Sequence, residues 1–173
     1  MRYLLILLIS CCCFGCRSVY VSHDYDDSFD FDSVYTYNYD FGQDRDFSEL
    51  DKRRFIKYSD SLLALRGLSK SETPDLWLQT NTNIFTSDSP TQLGVGVGSA
   101  GGNLGVSVGG GIPVGRQQQE WELTLVIIDA KSNTIVWEAY TESSRSLQST
   151  PEKRAAHMEK VVAKLYSKYP PKN

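Results

Sequence analysis

The stretch that decides the fold reads Trp121-Glu122-Leu123-Thr124-Leu125-Val126-Ile127-Ile128. Apolar and polar residues alternate in its first half, and its second half is apolar throughout. This pattern is typical of a central β-strand with helices packed against one side. A turn is predicted at residues 129–133, after which residues 134–140 return as the second strand of an antiparallel hairpin. We expect the core to be built on this hairpin.

A helix is predicted after the hairpin. Thr150 is a suitable N-cap, Pro151 fits the first helical position, and Glu152 complements the helix dipole. Pro170 and Pro171 end the segment. The residues expected on its apolar face are Ala155, Met158, Val161, Val162, Leu165 and Tyr169. This stripe predicts a helix that packs against the sheet.

A second helix is predicted before the hairpin. Asp46 and Glu49 have capping-box spacing, Ser48 is an alternative N-cap, and Gly67 is suited to follow the last turn. The residues that recur near helical spacing are Leu50, Phe55, Ile56, Ser59, Leu62, Leu63 and Leu65. We expect them to face the core.

Three further segments, residues 18–22, 34–39 and 76–85, are predicted to be strands. They are rich in β-branched and aromatic residues, and the polar second half of the third suits a sheet edge. The whole order therefore predicts an α+β fold, with an antiparallel β-sheet and two helices packed on one face. Residues 23–32 interleave aspartates with aromatic residues but lack the glycine of an EF-hand-type loop, so we expect a polar turn there and no metal site.

The glycine-rich segment 94–115 is expected to form a hairpin or a loop insertion. Valine and glycine alternate in it twice, which favours a flat hairpin. A phosphate-binding loop is excluded because no Lys-Ser or Lys-Thr pair closes the glycines and no helix is predicted after Pro113. Self-association or membrane contact through this segment is the alternative.

The N-terminus has the layout of an export signal. Arg2 precedes a short apolar run, Leu4-Leu5-Ile6-Leu7-Leu8-Ile9, which cannot span a bilayer core of about 30 Å. The cysteines that follow resemble a lipobox. We expect residues 1–15 to be a lipoprotein signal peptide, 16–24 the lipidated N-terminus and tether, and 25–173 a single domain. Cys16 is the expected lipidation site, Cys11 is the alternative, and a plain secretory signal is a further alternative.

Charge and cysteine content narrow the function classes. A net charge of -3 gives no basic footprint for nucleic acid. All four cysteines lie within residues 11–16, so a mature chain beginning at Cys16 can hold neither a disulfide framework nor a cysteine metal site. An exported domain of this kind must depend on its hydrophobic core.

No catalytic motif is visible in the sequence. The histidines are His23, near the tether, and His157, on the polar side of the last helix, and both are expected to be solvated. We therefore predict no catalytic residues, no cofactor and no metal. Trp77, Trp121 and Trp137 are expected in the core. A hydrolase that acts on cell-wall or envelope polymers through two facing carboxyls is the alternative.

Several motifs together resemble one family of bacterial lipoproteins. Asp30-Phe31-Asp32-Ser33-Val34-Tyr35-Thr36-Tyr37 is similar to the opening motif of the lipoproteins grouped as domain of unknown function 4136. Pro74-Asp75-Leu76, the hairpin segments 125–131 and 135–138, and Tyr169-Pro170-Pro171 follow in that family's order. The resemblance extends over nearly the whole chain after the signal.

This resemblance implies a lipid-anchored protein of the cell envelope with an α+β domain and no established reaction. We therefore expect a non-catalytic binding or scaffold domain that contacts a membrane through its N-terminal lipid and has an envelope protein as partner. Arg17-Ser18-Val19 stands where an acidic surface-export signal would lie, which favours the periplasmic face of the outer membrane. Self-assembly through the glycine-rich segment is a further hypothesis.

Overall fold

The structure is a computed structural model that describes residues 19–42, 44–87 and 117–171. These residues form one six-stranded sheet and two α-helices. The strands are β1 (Tyr20–Tyr25), β2 (Thr36–Tyr39), β3 (Ser69–Lys70), β4 (Leu76–Ser87), β5 (Gln118–Asp129) and β6 (Ile135–Ser146). The helices are α1 (Glu49–Ala64) and α2 (Pro151–Leu165). The predicted α+β class is confirmed.

The hairpin of β5 and β6 lies in the middle of the sheet, as its sequence predicts. The strand order is β1-β6-β5-β4-β2-β3. β5 pairs antiparallel with β4 on one side and with β6 on the other. The register of the hairpin shifts between Ile127 and Ile128, and both Val136 and Trp137 of β6 are buried. Such a bulge places two successive side chains in the core.

The sheet is mixed, so the expectation of a wholly antiparallel sheet is wrong. β2 runs parallel to β3 on one side and to β4 on the other. The reason lies in the connection, because α1 follows β2 and returns the chain to the end of the sheet where β2 began. Parallel strands require such a crossover. The sequence analysis also missed β3, which is only two residues long.

Asp75 holds the start of β2 beside the start of β4. Its Oδ2 accepts hydrogen bonds from the backbone N of Tyr35 at 3.1 Å, from the backbone N of Thr36 at 3.0 Å and from Thr36 Oγ1 at 2.7 Å. Its own carbonyl accepts from Ala130 N at 2.8 Å, just beyond the end of β5. These bonds lower the pKa of Asp75, with the Thr36 hydroxyl as the largest cause. Asp75 therefore links three segments of the sheet, two through its carboxylate and its own place before β4, and the third through its backbone carbonyl.

The N-cap of helix α1 is Ser48, the alternative cap, and not Asp46. Ser48 Oγ accepts a hydrogen bond from Asp51 N at 3.2 Å, and Gly67, with φ of 83°, follows the helix. The buried residues of α1 are Asp51, Phe55, Ser59 and Leu63. Because these residues recur every four positions, Leu50 and Leu65 lie away from this stripe. Both are exposed, contrary to our expectation.

Helix α2 begins at the Thr150 cap with Pro151 in its first turn, as predicted, but it ends earlier than expected. A short 3-10 turn, Tyr166–Lys168, follows Leu165, and Tyr169 is buried beyond it. Arg66, just after α1, donates hydrogen bonds to the carbonyl oxygens of Tyr166 at 2.8 Å and Tyr169 at 2.7 Å. Arg66 thus connects the segment that follows α1 to the turn that follows α2.

Both helices cover the same face of the sheet. Asp51 of α1 bonds to Arg145 of β6, and His157 of α2 contacts Ser143 of the same strand. The apolar side chains between the helices and the sheet form one buried cluster. No described helix covers the opposite side, which we call the open face. Strand alternation places on it the side chains of Trp77, Asn81, Asn83, Glu120, Glu122, Val126, Ile128, Glu138, Tyr140 and Glu142.

The first strand reaches further along the chain than expected. Residues 20–25 pair with β6. Of these, residues 20–24 lie in the predicted tether and residues 23–25 lie in the predicted polar turn. Beyond them, the Asp26 and Asp30 side chains accept hydrogen bonds from backbone amides two residues further on. This is turn chemistry, as predicted for the rest of the acidic stretch.

Three predictions concern residues outside the described part of the chain. They are the signal peptide at 1–15, lipidation of Cys16 or Cys11, and the hairpin at 94–115. Among the described residues, no helix has both the length and the apolar character needed to cross a bilayer.

Candidate functional site

A polar cleft lies where the described chain enters the sheet. It has a volume of about 400 Å³ and separates the end of β6 from the first turns of α2. β1 pairs with β6 only as far as Glu142, so the following residues of β6 form a wall of the cleft. We call it the basic cleft and define it by Val19, Ser143, Arg145, Ser149, Lys153, His157 and Lys160.

The floor of the basic cleft is a buried ion pair. Arg145 Nη2 lies 3.2 Å from Asp51 Oδ2, and Arg54 Nη1 lies 2.6 Å from Asp51 Oδ1. The Arg145 guanidinium also lies 4.1 Å from the ring centroid of Trp121 and donates through Nε to Gln119. Burial alone would raise the pKa of Asp51, but hydrogen bonds and charge from the two arginines, and a bond from Ser48, lower it. The pair therefore stays ionised.

His157 lies beside this ion pair and is largely buried, so the expectation of a solvated histidine is wrong. Its Nε2 lies 3.0 Å from Ser143 Oγ, and its ring packs edge-on against Trp121. Burial, and secondarily the charge of Arg145, lower the pKa of His157 to about 4. The ring is therefore neutral at pH 7. The helical pattern did not predict this position, because Trp121, which the ring contacts, lies far away in the sequence.

Ser143 and His157 have the spacing of a nucleophile and a base, but the third group is missing. His157 Nδ1 is buried and has no hydrogen-bond partner among the described residues. Asp51, the nearby carboxylate, is already bonded to Arg145 and Arg54. A triad needs an acid that orients the imidazole and stabilises its charged form. Here the charge of Arg145 disfavours the charged imidazole more than that of Asp51 favours it.

The rim of the basic cleft carries uncompensated positive charge. Lys153 and Lys160 are both exposed and have no ion-pair partner in the described part of the chain. They lie two turns apart on one side of α2, about 10 Å from each other. Between them and β6 are the hydroxyls of Ser143 and Ser149. Ammonium and hydroxyl donors of this kind suit oxyanions.

The open face has the opposite charge. Glu122 of β5 lies directly across from Glu142 of β6, an arrangement of like charges that destabilises a strand pair. Tyr140 donates a hydrogen bond to Glu142 at 2.9 Å, and Asn83 donates to Glu122 at 2.9 Å. Burial, the bond to Glu142 and the neighbouring carboxylates raise the pKa of Tyr140 to about 12. The face thus concentrates negative charge.

The residues singled out from the sequence are widely separated in the structure. His23 is exposed in β1 and stacks on Trp137 at 5.4 Å between ring centroids. Trp121 and Trp137 are buried, as expected, whereas Trp77 lies half-buried on the open face. Across residues 19–42, 44–87 and 117–171, no three histidine, cysteine, aspartate or glutamate side chains come together as metal ligands would.

The sequence analysis missed the basic cleft, although α2 contains a signal for it. Lys153, His157 and Lys160 recur at intervals of four and three residues, which places them on one side of a helix. That spacing predicts a polar face with positive charge. The wall of the basic cleft that β6 contributes has no such signal in the sequence, because Ser143 and Arg145 are ordinary residues for the polar end of a strand.

These features define a class of protein: a small α+β domain with one mixed sheet and a two-helix layer on one face. The chain belongs to the family described as Domain of unknown function (DUF4136), whose profile matches residues 21–171. The expectation of this family is therefore confirmed. No curated protein matches the chain.

Two solved structures superpose on the chain at low sequence identity. A PDZ domain protein from Parabacteroides distasonis ATCC 8503 superposes with a TM-score of 0.51 and 18% identity, over 91% of this chain and 37% of that one. This chain thus spans little more than a third of that protein. The PelC dodecamer from Paraburkholderia phytofirmans has a TM-score of 0.49 and 10% identity, over 87% of this chain and 96% of that one.

Proposed function

We propose that this protein is a lipid-anchored component of the bacterial cell envelope whose domain binds another protein and catalyses no reaction. In this proposal residues 1–15 are removed, Cys16 carries the lipid, and the domain lies at the periplasmic face of the outer membrane. The observation that carries the binding role is the open face. It presents a broad sheet surface with carboxylates opposed at Glu122 and Glu142, at a cost in stability.

The occupant that fits the open face is a protein surface rich in lysine and arginine. Glu120, Glu122, Glu138 and Glu142 supply four negative charges on two adjacent strands. Trp77 and Ile128 are half-buried on the same face, nearest to Glu138 among these carboxylates, and provide apolar contact area. Complementary charge would relieve the repulsion between Glu122 and Glu142 and speed association. Aromatic and apolar centres with a charged rim are typical of protein interfaces.

The anchor is tested in cells by metabolic labelling with palmitate followed by membrane fractionation. We expect Cys16→Ser to lose both the label and the membrane association. Cys12→Ser and Cys13→Ser are matched controls that should retain both. If Cys11→Ser alone loses the label, the mature chain begins at Cys11. If every variant lacks the label, the protein is not a lipoprotein.

The binding role is tested by placing a photo-crosslinking residue at exposed Asn81 on the open face. We expect one protein adduct in cells, lost when Glu120, Glu122 and Glu142 are all changed to Gln. The same crosslinker at Lys57, on the outer side of α1, is the control and should give no such adduct. An adduct that survives the glutamine changes would refute recognition by charge.

A hydrolase that uses a serine nucleophile, unlike the two-carboxyl hydrolase considered from the sequence, would rest on the 3.0 Å contact between Ser143 and His157. Its test is release of soluble fragments from purified peptidoglycan by wild type and Ser143→Ala. We expect no release that depends on Ser143, because burial and Arg145 lower the pKa of His157 and make it a weak base, and no acid orients its ring. Release by wild type that Ser143→Ala abolishes would instead establish a hydrolase.

A further inference from the structure

The basic cleft lies at the point where the chain enters the domain. Val19 lines it, and the first paired residue of β1, Tyr20, follows directly. Cys16 precedes Val19 by three residues, and three residues of extended chain reach at most about 11 Å. A lipid on Cys16 would therefore hold the cleft close to the bilayer, whatever the path of the intervening residues.

The side chains at this end of the domain carry the charge that such a membrane would attract. Lys153 and Lys160 are exposed at the rim, and Arg17 adds a third positive charge within the tether. The acids on the same helix, Glu152 and Glu159, lie about 100° around the helix axis from the two lysines. The carboxylate of Asp51 beneath is buried and bonded to arginines. The Asp51 carboxylate therefore does not neutralise the positive charge of the two lysines at the rim.

We propose that the basic cleft is the membrane-contacting surface of the domain, with Lys153 and Lys160 at the level of anionic lipid headgroups. This inference rests on the proposed lipid anchor. The hydroxyls of Ser143 and Ser149 supply further donors to headgroup oxygens. In this orientation the long axis of β6 points away from the bilayer, because its other end lies at the turn after β5. That turn would stand about 35 Å further out.

The test uses the full-length lipidated protein, purified in detergent and placed in vesicles. Ala156→Cys in the cleft and Lys131→Cys in the distant turn each carry a fluorophore, and spin-labelled lipids in the vesicle act as quenchers. Since the signal cysteines are removed and Cys16 is acylated, only the introduced cysteine is labelled. We expect strong quenching at position 156 and none at position 131 in vesicles that contain phosphatidylglycerol.

Charge dependence separates headgroup contact from mere proximity to the anchor. Vesicles of phosphatidylcholine alone should quench position 156 less, as should high salt. One lysine near an anionic surface shifts the equilibrium between the docked and the undocked domain about fivefold. Changing Lys153 and Lys160 together to Gln should therefore lower the docked-to-undocked ratio about 25-fold. Lys57→Gln on α1 is the matched control and should change nothing.

The outcomes distinguish the two proposals. If wild-type protein does not float with vesicles, or if Cys16→Ser floats equally well, the lipid anchor fails. If wild type floats but position 156 is quenched no more than position 131, the anchor stands and the membrane-contacting surface is refuted. Quenching at 156 that is unaffected by lipid charge and by both lysine changes would also refute it.

Discussion

Arg145 is the charged side chain through which α1 and the sheet interact most closely. It pairs with Asp51, lies on Trp121, and is almost fully buried itself. A buried carboxylate that loses its cation keeps its desolvation cost without compensation. This pair therefore contributes to the stability of the contact between α1 and the sheet.

Arg145→Met should lower the free energy of unfolding by about 3 kcal/mol, because Asp51 would keep only the Arg54 contact. The measurement is urea unfolding at pH 7. Arg54→Met is the matched control: it removes the more exposed partner of the same carboxylate and should cost about 1 kcal/mol. Adding Asp51→Asn to Arg145→Met should recover part of the loss. No recovery would mean that the cost arises from packing on Trp121 alone.

His157 makes the stability depend on pH. Its pKa in the folded protein, about 4, lies below the ordinary value of 6.5, so protons bind more tightly to the unfolded chain. The stabilisation is complete above about pH 6.5 and is lost as the pH falls towards about 4. The loss amounts to about 3 kcal/mol.

His157→Gln should remove this part of the pH dependence and retain a polar contact to Ser143. Urea unfolding between about pH 7 and 4 measures the difference in slope between variant and wild type. His23→Gln, at an exposed position, should leave the slope unchanged. Equal slopes in wild type and His157→Gln would contradict burial of the histidine. Protonation of Asp51 acts below this range, because its pKa is lowered from 3.8.

At the scale of elements, the least regular part of the sheet is the junction of β2, β3 and β4. Asp75 supplies hydrogen bonds there that such short strands do not form between their own backbones. β2 has four residues and β3 two. Strands of that length contribute few ladder bonds of their own. Their parallel arrangement thus depends on a side chain outside them.

Asp75→Ala should therefore lower the free energy of unfolding by about 2 kcal/mol, since three donors lose a charged acceptor. Asp75→Asn keeps one acceptor oxygen and should cost less. Urea unfolding gives both values, and hydrogen exchange at the Tyr35 and Thr36 amides reports the local effect. Unchanged exchange at those two amides in Asp75→Ala would contradict the role given to the carboxylate.

The sequence predicts single elements better than their arrangement. The caps at Ser48 and Thr150 follow from local hydrogen-bonding chemistry, and the β5–β6 hairpin follows from its alternation of polar and apolar residues. The direction of β2 does not, because it depends on where α1 returns the chain. The contact of His157 with Trp121 likewise joins residues far apart in sequence, which no local pattern indicates.

At the scale of the whole molecule, Lys153 and Lys160 lie at the rim of the basic cleft, whereas Glu120, Glu122, Glu138 and Glu142 lie on the open face. Glu122→Gln should raise the free energy of unfolding by about 0.5 kcal/mol at low ionic strength, because it removes one of two opposed charges. Asn83 can still donate to the amide oxygen. Urea midpoints at low and high salt measure this gain, which should vanish in high salt. A gain that persists there would show that charge repulsion is not its cause.

The candidate sites are less predictable than the fold for a physical reason. The basic cleft combines the end of β6, the start of α2 and Val19, and the open face combines alternate residues of several strands. Each contribution is an ordinary solvated residue in its own segment. Only the register of the sheet reveals that Glu122 faces Glu142, and only the packing of α2 against β6 brings His157 to Ser143.

The two edge strands of the sheet differ in length. This difference limits the assemblies that can form when the edge strands of separate molecules pair. β1 presents an outer edge six residues long, whereas β3 at the other edge has only two. An open-ended fibre requires every molecule to accept a neighbour at both edges. Two copies joined through β1 would form one continuous sheet that terminates in β3 at both ends and offers too few main-chain groups for a third. Among the described residues, accidental polymerisation by this route therefore stops at a pair.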